Sequence, residues 1–382
     1  MEKVTRESDS ESHRTMNEDE KKMNRIASID ALRGFDMLFI IFLDHFFQAL
    51  NVGVGSPFTN ALAKQFDHPE WFGSSVYDIV MPLFLFIVGA AIPFALSKRK
   101  LQDSRLSALY AKLIKRFVIL FILGWIVQGH LLEFNLETFS IFSNTLQAIA
   151  VGYLFSSIAY IHFKLKTRLL IFGASLLIYT LLLTIPNVPG VGSGVLLPDS
   201  SFAWYVDQRV FGDFQDGTQY TWLLSGFGFI ATTLSGVFAG ELIKSDLPRK
   251  KVALYLFVIG VTGLLAGIVL GIWHPIIKKL WTSSFVLASS GVCFLLLSLF
   301  YWIIDVKGKV KWAYPLKVIG MNAIVAYMLS HVFNFHLIAE MVLYGLKQFV
   351  GDFNYLVLAI GGFGILYLIL WYMYKNKTFI KV

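Results

Sequence analysis

Ten apolar segments, each roughly twenty residues long, follow one another along this chain and decide what it can fold into. A helix needs about 20 apolar residues to cross the hydrocarbon core of a bilayer. The strands of an outer-membrane barrel would instead show runs of about ten alternating residues. The sequence therefore predicts an all-α, polytopic membrane bundle of about ten transmembrane helices. The predicted spans are 35–50, 75–97, 116–132, 142–162, 169–185, 222–243, 252–273, 282–304, 318–337 and 354–374.

Composition supports the same fold class. Hydrophobic residues make up 56% of the 382 residues and charged residues 15%, whereas soluble domains carry about 45–50% and 25%. This excludes a soluble enzyme, a disordered chain and a nucleic-acid binder, in spite of a pI near 9.3. A single cysteine, Cys293, excludes a disulfide framework and a cysteine-based metal cluster.

Basic residues predict the orientation of the bundle. Ten spans place both termini on one side, and most of the 33 Lys and Arg residues fall on that side. The other side holds Lys64, Arg209, Lys278, Lys279 and Lys347. Because Lys and Arg concentrate in cytoplasmic loops, we predict that both termini are cytoplasmic. Residues 1–24 are polar without an apolar run, and are predicted to be a disordered cytoplasmic tail rather than a signal peptide.

Polar groups in the first span are candidates for function, because a charge in the membrane is costly. Asp30 and Arg33 lie three residues apart at the predicted cytoplasmic entry, on one helix face. Either they form a local ion pair, or Arg33 faces an anionic ligand. Asp44 and His45 follow near the other end. They either lie at the membrane interface, or Asp44 faces the interior.

The segment FDHPEWFGSSVYD places His68 beside Asp67, Glu70 and Trp71, with Asp78 ten residues on. A histidine with a neighbouring carboxylate can act as a general base near neutral pH. A zinc site on these side chains and His45 lacks any HExxH-type spacing, so we predict no metal.

Two later segments place further polar groups at or within spans. HPIIKKLWTSS carries Lys278, Trp281 and Ser283, which indicate either a polar lining or an interfacial lysine and aromatic belt. GMNAIVAYMLSH carries Asn322, whose amide must face protein or a cavity.

Five blocks of the chain together carry a family pattern. They are SIDALRGFDMLFIIFLD, HPEWFGSSVYDIVMPLFLFIVGAAIPFAL, NTLQAIAVGY, KKLWTSSFVL and GMNAIVAYML. In this order they resemble the membrane acetyltransferases related to heparan-α-glucosaminide N-acetyltransferase, from about Arg25 to the C-terminus. The resemblance implies a compact, bacterial-type member in the inner membrane, with residues 25–382 as one transmembrane acyltransferase domain.

The resemblance also implies a reaction and its residues. Cytoplasmic acetyl-CoA would give its acetyl group to the amine of a glucosamine-type sugar on the outer side, in a homodimer. His68 falls on the family's catalytic histidine, and Asp44 on a first-helix position where the family enzyme carries Asn. Asp44 or Asp67 would orient the imidazole, which acts either as a general base or through an acetyl-histidine.

The remaining expected site residues follow from this mechanism. Arg116, with Arg33, would bind the phosphates of CoA. Trp281, Ser283 and Asn322 would line the channel and bind the thioester. Substrate contacts are expected from Asp67, Glu70, Trp71, Asp78 and Lys278. Two alternatives stay open, an O-acyltransferase of a cell-envelope glycan and a transporter of amino sugars or anions.

Overall fold

The computed structural model describes residues 27–100, 106–215 and 222–380, with the side chains of 98–100 excepted. The predicted tail, residues 1–24, lies outside these ranges. The membrane-bundle helices are α1 (Ala27–Val54), α3 (Val80–Lys100), α4 (Leu106–Val127), α5 (Thr145–His162), α6 (Leu165–Thr184), α8 (Gly226–Lys244), α9 (Arg249–Leu270), α10 (Ser283–Tyr301), α11 (Tyr314–Met321), α12 (Ala323–Val332) and α15 (Asn354–Lys375). Shorter helices are α2 (Pro57–Gln65), α7 (Phe202–Phe211), α13 (Phe335–Leu343) and α14 (Lys347–Val350). A two-stranded antiparallel hairpin joins β1 (Asn187–Val188) to β2 (Gly192–Ser193).

The predicted all-α membrane bundle is confirmed. In the described ranges, seven helical stretches are long and apolar enough to cross a membrane, or eight if the bent pair α11–α12 counts as one span. The other two predicted spans correspond to α4, which carries three basic residues in its first half, and to α5, which has 18 residues. Each of the ten predicted segments thus has a helical counterpart, and the count of ten spans stays a prediction.

Close backbone contact holds the centre of the bundle together. Helices α3 and α8 pack along their length, and glycines of each helix lie against the backbone of the other. A Cβ placed on Gly236 would lie 2.0 Å from the carbonyl oxygen of Phe86, and one on Gly89 would lie 2.0 Å from that of Thr233. Small residues permit this approach in membrane proteins, where van der Waals packing replaces the hydrophobic effect between helices.

The ninth predicted span is broken. Helices α11 and α12 meet at Asn322 with a bend of 63°. The amide nitrogen of Asn322 donates to the carbonyl oxygen of Thr378 at 3.3 Å, and its amide oxygen accepts from the backbone N–H of Ile380 at 3.3 Å. The segment after α15 therefore returns to the break and pairs with the amide that the interrupted helix leaves there.

Three connections dock on one another at one end of the bundle, which we call the His68 end. The backbone N–H of Gly73 donates to Ile276 at 2.8 Å. The indole of Trp71 donates to the carbonyl oxygen of Leu196 at 2.6 Å, and that of Trp222 to Lys279 at 2.8 Å. The loops before α3, around the β-hairpin and before α10 thus form one cap. The charge pattern predicts this end to be the outer one.

Candidate active site

His68 and Asp78 form the centre of the site. His68 lies in the loop after α2, and Asp78 in a single turn of 3₁₀ helix, Tyr77–Ile79, that leads into α3. The carboxylate oxygen Oδ1 of Asp78 lies 2.6 Å from Nδ1 of His68, and Oδ2 accepts the backbone N–H of Ser75 at 2.9 Å. The Asp78 side chain is fully buried, so its orientation is fixed by these contacts and by the helix start.

Lys278 reaches the same pair from the cap loop before α10. Its Nζ lies 3.4 Å from Oδ1 of Asp78, and 3.3 Å and 3.4 Å from the two ring nitrogens of His68. Burial lowers the pKa of Lys278 from its usual value to about 8, although the neighbouring Asp78 carboxylate opposes the shift. Lys278 is therefore mostly protonated at neutral pH and close to losing its proton.

A cavity of about 320 Å³ opens at this trio. It brings Asp44 of α1 together with Asp67, His68 and Lys278, four of the candidate site residues named from the sequence. Asp78 lies directly behind His68, so the partner of the imidazole is Asp78, whereas the sequence pointed to Asp44 or Asp67 for that role.

Several residues of this wall were missed from the sequence. They are Tyr77, Gln128, Asn144, Thr145, Tyr327 and His331. Asn144 and Thr145 begin α5, and the Asn144 side chain accepts from Leu146 and Gln147 as an N-cap. The N-cap pattern was the available signal, because a helix start facing a cavity presents backbone N–H groups to it.

A second cavity of about 800 Å³ adjoins the first. The two share Ile40, Asp44, Tyr77 and His331. Helices α1, α12, α13 and α15 form its walls. Asp44 therefore faces both spaces.

Asp67, Glu70 and Trp71 have different surroundings in the structure. Asp67 lines the smaller cavity and accepts the backbone N–H of His68 at 2.8 Å. Glu70 is exposed. Trp71 is buried in the cap through its bond to Leu196, and neither Glu70 nor Trp71 lines the two cavities described.

The structure does not bring Trp281 and Ser283 to these cavities. Trp281 has a left-handed backbone (φ 56°), packs between Phe229 and Phe285, and donates from its indole to Thr232 at 3.1 Å. The Ser283 hydroxyl donates to the carbonyl oxygen of Leu176 at 2.8 Å. Asn322 likewise lies outside both cavities, at the helix break. All three side chains are buried and bonded within the protein.

Arg33 and Arg116 lie toward the opposite end. Nη1 of Arg33 lies 3.2 Å from Oδ1 of Asp30, so the local ion pair, the first of the two alternatives for these residues, is present. The Arg116 guanidinium lies over the ring of Tyr153 at 4.1 Å, and its buried Nε has no hydrogen-bond partner within the described residues. The two guanidinium groups are near enough to repel each other electrostatically. Two guanidinium groups, one of them with an unpaired Nε, suit a phosphate.

No three His, Cys, Asp or Glu side chains in residues 27–100, 106–215 and 222–380 are grouped as a metal site would require. The arrangement at His68 is that of an acid–base centre. A carboxylate holds one imidazole nitrogen, and a buried ammonium lies against both groups.

Comparison with known proteins connects this geometry to a chemistry. The chain is 24% identical to human (Homo sapiens) heparan-alpha-glucosaminide N-acetyltransferase over 94% of its own length, and 23% identical to the mouse (Mus musculus) enzyme over 94%. The chain is thus similar to these acetyltransferases over most of its own length. It spans about 60% of the length of each relative. A family model described as a domain of unknown function (DUF5009) matches residues 25–185, which include His68 and Asp78. The resemblance drawn from the five sequence blocks is confirmed.

Proposed function

We propose that this protein is a membrane acetyltransferase that moves the acetyl group of acetyl-CoA to the amine of a glucosamine-type sugar at the His68 end. The observation that carries the proposal is that His68 and Lys278 line a cavity in a membrane bundle, with the buried Asp78 carboxylate directly behind His68 and within 3.4 Å of Lys278. The similarity to enzymes named as glucosaminide N-acetyltransferases supports the same reaction.

His68 is the proposed general base. Asp78 on Nδ1 favours the tautomer that carries its proton there, so Nε2 is the basic nitrogen. The bound ammonium first releases one proton to water; the resulting amine nitrogen then attacks the thioester carbonyl carbon, and Nε2 takes a second proton from that nitrogen. When the C–S bond breaks, the CoA sulfur leaves as thiolate and receives the proton. The Asp78 carboxylate stabilises the imidazolium formed between these steps.

The charges around the cavity support an amine as the acceptor. Asp44, Asp67 and the buried Asp78 contribute three carboxylates, and Lys278 contributes one ammonium. An excess of negative charge attracts an ammonium, which a hydroxyl acceptor does not offer. The Lys278 ammonium in turn is placed to stabilise the oxyanion of the tetrahedral intermediate, since a preorganised charge is most effective away from bulk water.

The donor is proposed to enter from the opposite, predicted cytoplasmic end. Its phosphates would meet Arg116 and Arg33, while the extended pantetheine arm follows α1 toward Asp44. Eleven residues separate Arg33 from Asp44 on this helix, a rise of about 16 Å. Trp281, Ser283 and Asn322 contribute in this proposal by fixing the walls of the channel, because their polar atoms are bonded within the protein.

The cellular location and the oligomeric state are part of the same proposal. We propose a location in a bacterial inner membrane, with the cap on the periplasmic side, and a homodimer as the assembly. Light scattering of the detergent-solubilised protein measures the assembly directly, and a mass for one copy would contradict the dimer.

Transfer of labelled acetyl from acetyl-CoA to glucosamine tests the function. We expect labelled N-acetylglucosamine from the purified protein, and none from His68→Ala. Asp78→Asn is expected to lose 10- to 10³-fold, since an amide cannot stabilise the imidazolium. Label on the hydroxyl of an acceptor whose amine is blocked would favour the O-acyltransferase. Label retained on the protein without acceptor would favour an acetyl-His68 intermediate.

A further inference from the structure

The larger cavity is the feature that the proposed chemistry leaves unused. Its volume is about 800 Å³, against about 320 Å³ for the cavity at His68. The smaller space already holds the proposed base, its ammonium neighbour and two further carboxylates. A second space of more than twice that volume, which shares four wall residues with the first, indicates an acceptor larger than a single sugar ring.

The walls of this second space are mainly apolar and lie along membrane-spanning helices. On α15 they extend from Tyr355 to Leu366, eleven residues or about 16 Å. Between these ends the wall is formed by Leu358, Ala359 and Phe363. The apolar part of this wall offers little to a free amino sugar, whereas an alkyl chain gains free energy for each methylene group that it buries there.

Asp44 brings a carboxylate to the second space, and the other polar side chains of its lining include His45, Gln48, Ser330, His331, Asn334 and His336. This carboxylate lies on the shared wall, in the lining of both cavities. An ammonium held there is directed toward His68, while any substituent of the same molecule extends between α1 and α15. The rim carries exposed apolar side chains, with Val52, Phe333 and Tyr355 each more than half exposed. A molecule with an amine at one end and an apolar chain at the other matches this distribution of charge and apolar surface.

We propose that the acceptor is an amphipathic amino sugar, a glucosamine that carries an apolar chain, and that the space between α1 and α15 binds this chain. The inference rests on the proposed acetyltransferase function and specifies its substrate class. The amine lies at Asp44 and His68, and the chain lies against Ala359 and Phe363.

The test compares acceptors that differ in the substituent alone. The protein in lipid nanodiscs is supplied with acetyl-CoA and either methyl or hexyl β-glucosaminide, below the micelle concentration of the latter. We expect KM for the hexyl compound to be at least about tenfold lower than for the methyl compound. A β-1,4-linked glucosamine disaccharide is the polar acceptor of similar size. A lower KM for the disaccharide than for the hexyl compound would overturn the proposal.

Two substitutions on α15 separate binding in the cavity from partition into the bilayer. Ala359→Trp fills the space beside Phe363, and Leu368→Trp adds the same side chain at an exposed position. The preference for hexyl over methyl should disappear in Ala359→Trp and remain in Leu368→Trp. If Ala359→Trp does not fold, Ala359→Leu is the milder variant, with an expected three- to tenfold decrease in the preference.

The outcomes distinguish this inference from the function on which it rests. Equal KM values for methyl and hexyl acceptors, or a hexyl preference that Ala359→Trp leaves intact, overturn the inference while the acetyltransferase stands. If no acceptor is acetylated, the proposed function fails. Native mass spectrometry of bound hexyl β-glucosaminide then tests the cavity alone, and equal binding by wild type and Ala359→Trp overturns the inference there as well.

Discussion

Oδ1 of Asp78 lies 2.6 Å from Nδ1 of His68, across a ten-residue loop that leads into α3. Asp78 is fully buried and also accepts the backbone N–H of Ser75, so it cannot turn away from the ring. The carboxylate thereby sets both the tautomer and the direction of the imidazole. In the proposed mechanism Asp78 is a positioning residue for His68, and the reacting atoms meet the imidazole rather than the carboxylate.

His68→Ala is expected to lower kcat for acetyl transfer by about 10²–10⁴-fold, the usual contribution of a general base. CoA binding should stay near wild type, because the proposed phosphate contacts lie at the opposite end of the bundle. Steady-state kinetics and CoA titration measure the two quantities. His45→Ala is the matched control, since His45 is adjacent to Asp44 and lines the second cavity alone. Loss of turnover in His45→Ala, with activity retained in His68→Ala, would indicate that the base lies on α1.

Lys278 predicts an alkaline limb in the pH profile of kcat. Burial lowers its pKa to about 8. The ammonium is therefore present below pH 8 and is lost as the pH rises through that value. Deprotonation removes the positive charge that lies beside Asp78 and beside the proposed oxyanion. We expect kcat to fall above about pH 8.

Lys278→Arg tests the origin of this limb, because arginine keeps its charge throughout the range. We expect reduced activity from the altered geometry, but no fall near pH 8. Lys279→Arg is the control and should retain the wild-type profile, since Lys279 lies over the Trp71 ring instead. An alkaline limb that persists in Lys278→Arg would assign it to another group.

The sequence predicted the helices and the segment of the base, but it did not predict the pairing within the site. Apolar runs are local, so each predicted span has a helix at its position. Lys278 is 210 residues from His68, and its approach depends on how the loops dock in the cap. Asp78 was expected to contact substrate, and the nine residues between it and His68 carry no periodicity that would reveal their pairing.

The polar residues at span ends also show that the sequence does not predict which groups pair. Ser283 was expected to line a channel because it belongs to a run of hydroxyl residues. The structure instead bonds it to the backbone of α6 at Leu176. Asn322 was expected to face protein or a cavity, and it pairs with Thr378 and Ile380 of the returning C-terminal segment. A sequence shows that a buried polar atom needs a partner, but the packing selects that partner.

Arg116→Ala is expected to raise KM for acetyl-CoA about tenfold or more and to leave KM for the sugar nearly unchanged. Its guanidinium has an unused buried donor and a charged neighbour in Arg33, as a phosphate site requires. Lys112→Ala, one turn earlier on the same helix and exposed, is the control. Kinetics with each substrate varied in turn measure the difference. An unchanged KM for acetyl-CoA in Arg116→Ala would place the phosphates at another basic loop.

Gly236→Leu is expected to destabilise the bundle strongly. Its Cβ would lie 2.0 Å from the backbone oxygen of Phe86, and a backbone atom cannot move aside as a side chain can. The helices α3 and α8 must separate, which costs packing along the crossing. Thermal unfolding in detergent should show a decrease in Tm of several degrees. Gly173→Leu on α6 should change Tm far less, since nothing lies within 4 Å of a Cβ there. Equal Tm values for both variants would contradict the close crossing.

The orientation of the bundle in the membrane decides on which side each substrate enters. With ten spans and basic loops inside, Ser193 in the β-hairpin lies outside and Lys309 lies in the cytoplasm. Cys293 is buried, so single cysteines placed at these two positions can be labelled selectively. An impermeant maleimide added to intact cells should label the cysteine at 193 and leave that at 309 unlabelled until the cells are opened. Labelling at 309 from outside would show that the bundle has the opposite orientation or fewer spans. The His68 cap would then face the cytoplasm, and the donor and acceptor entrances proposed here would have to be exchanged.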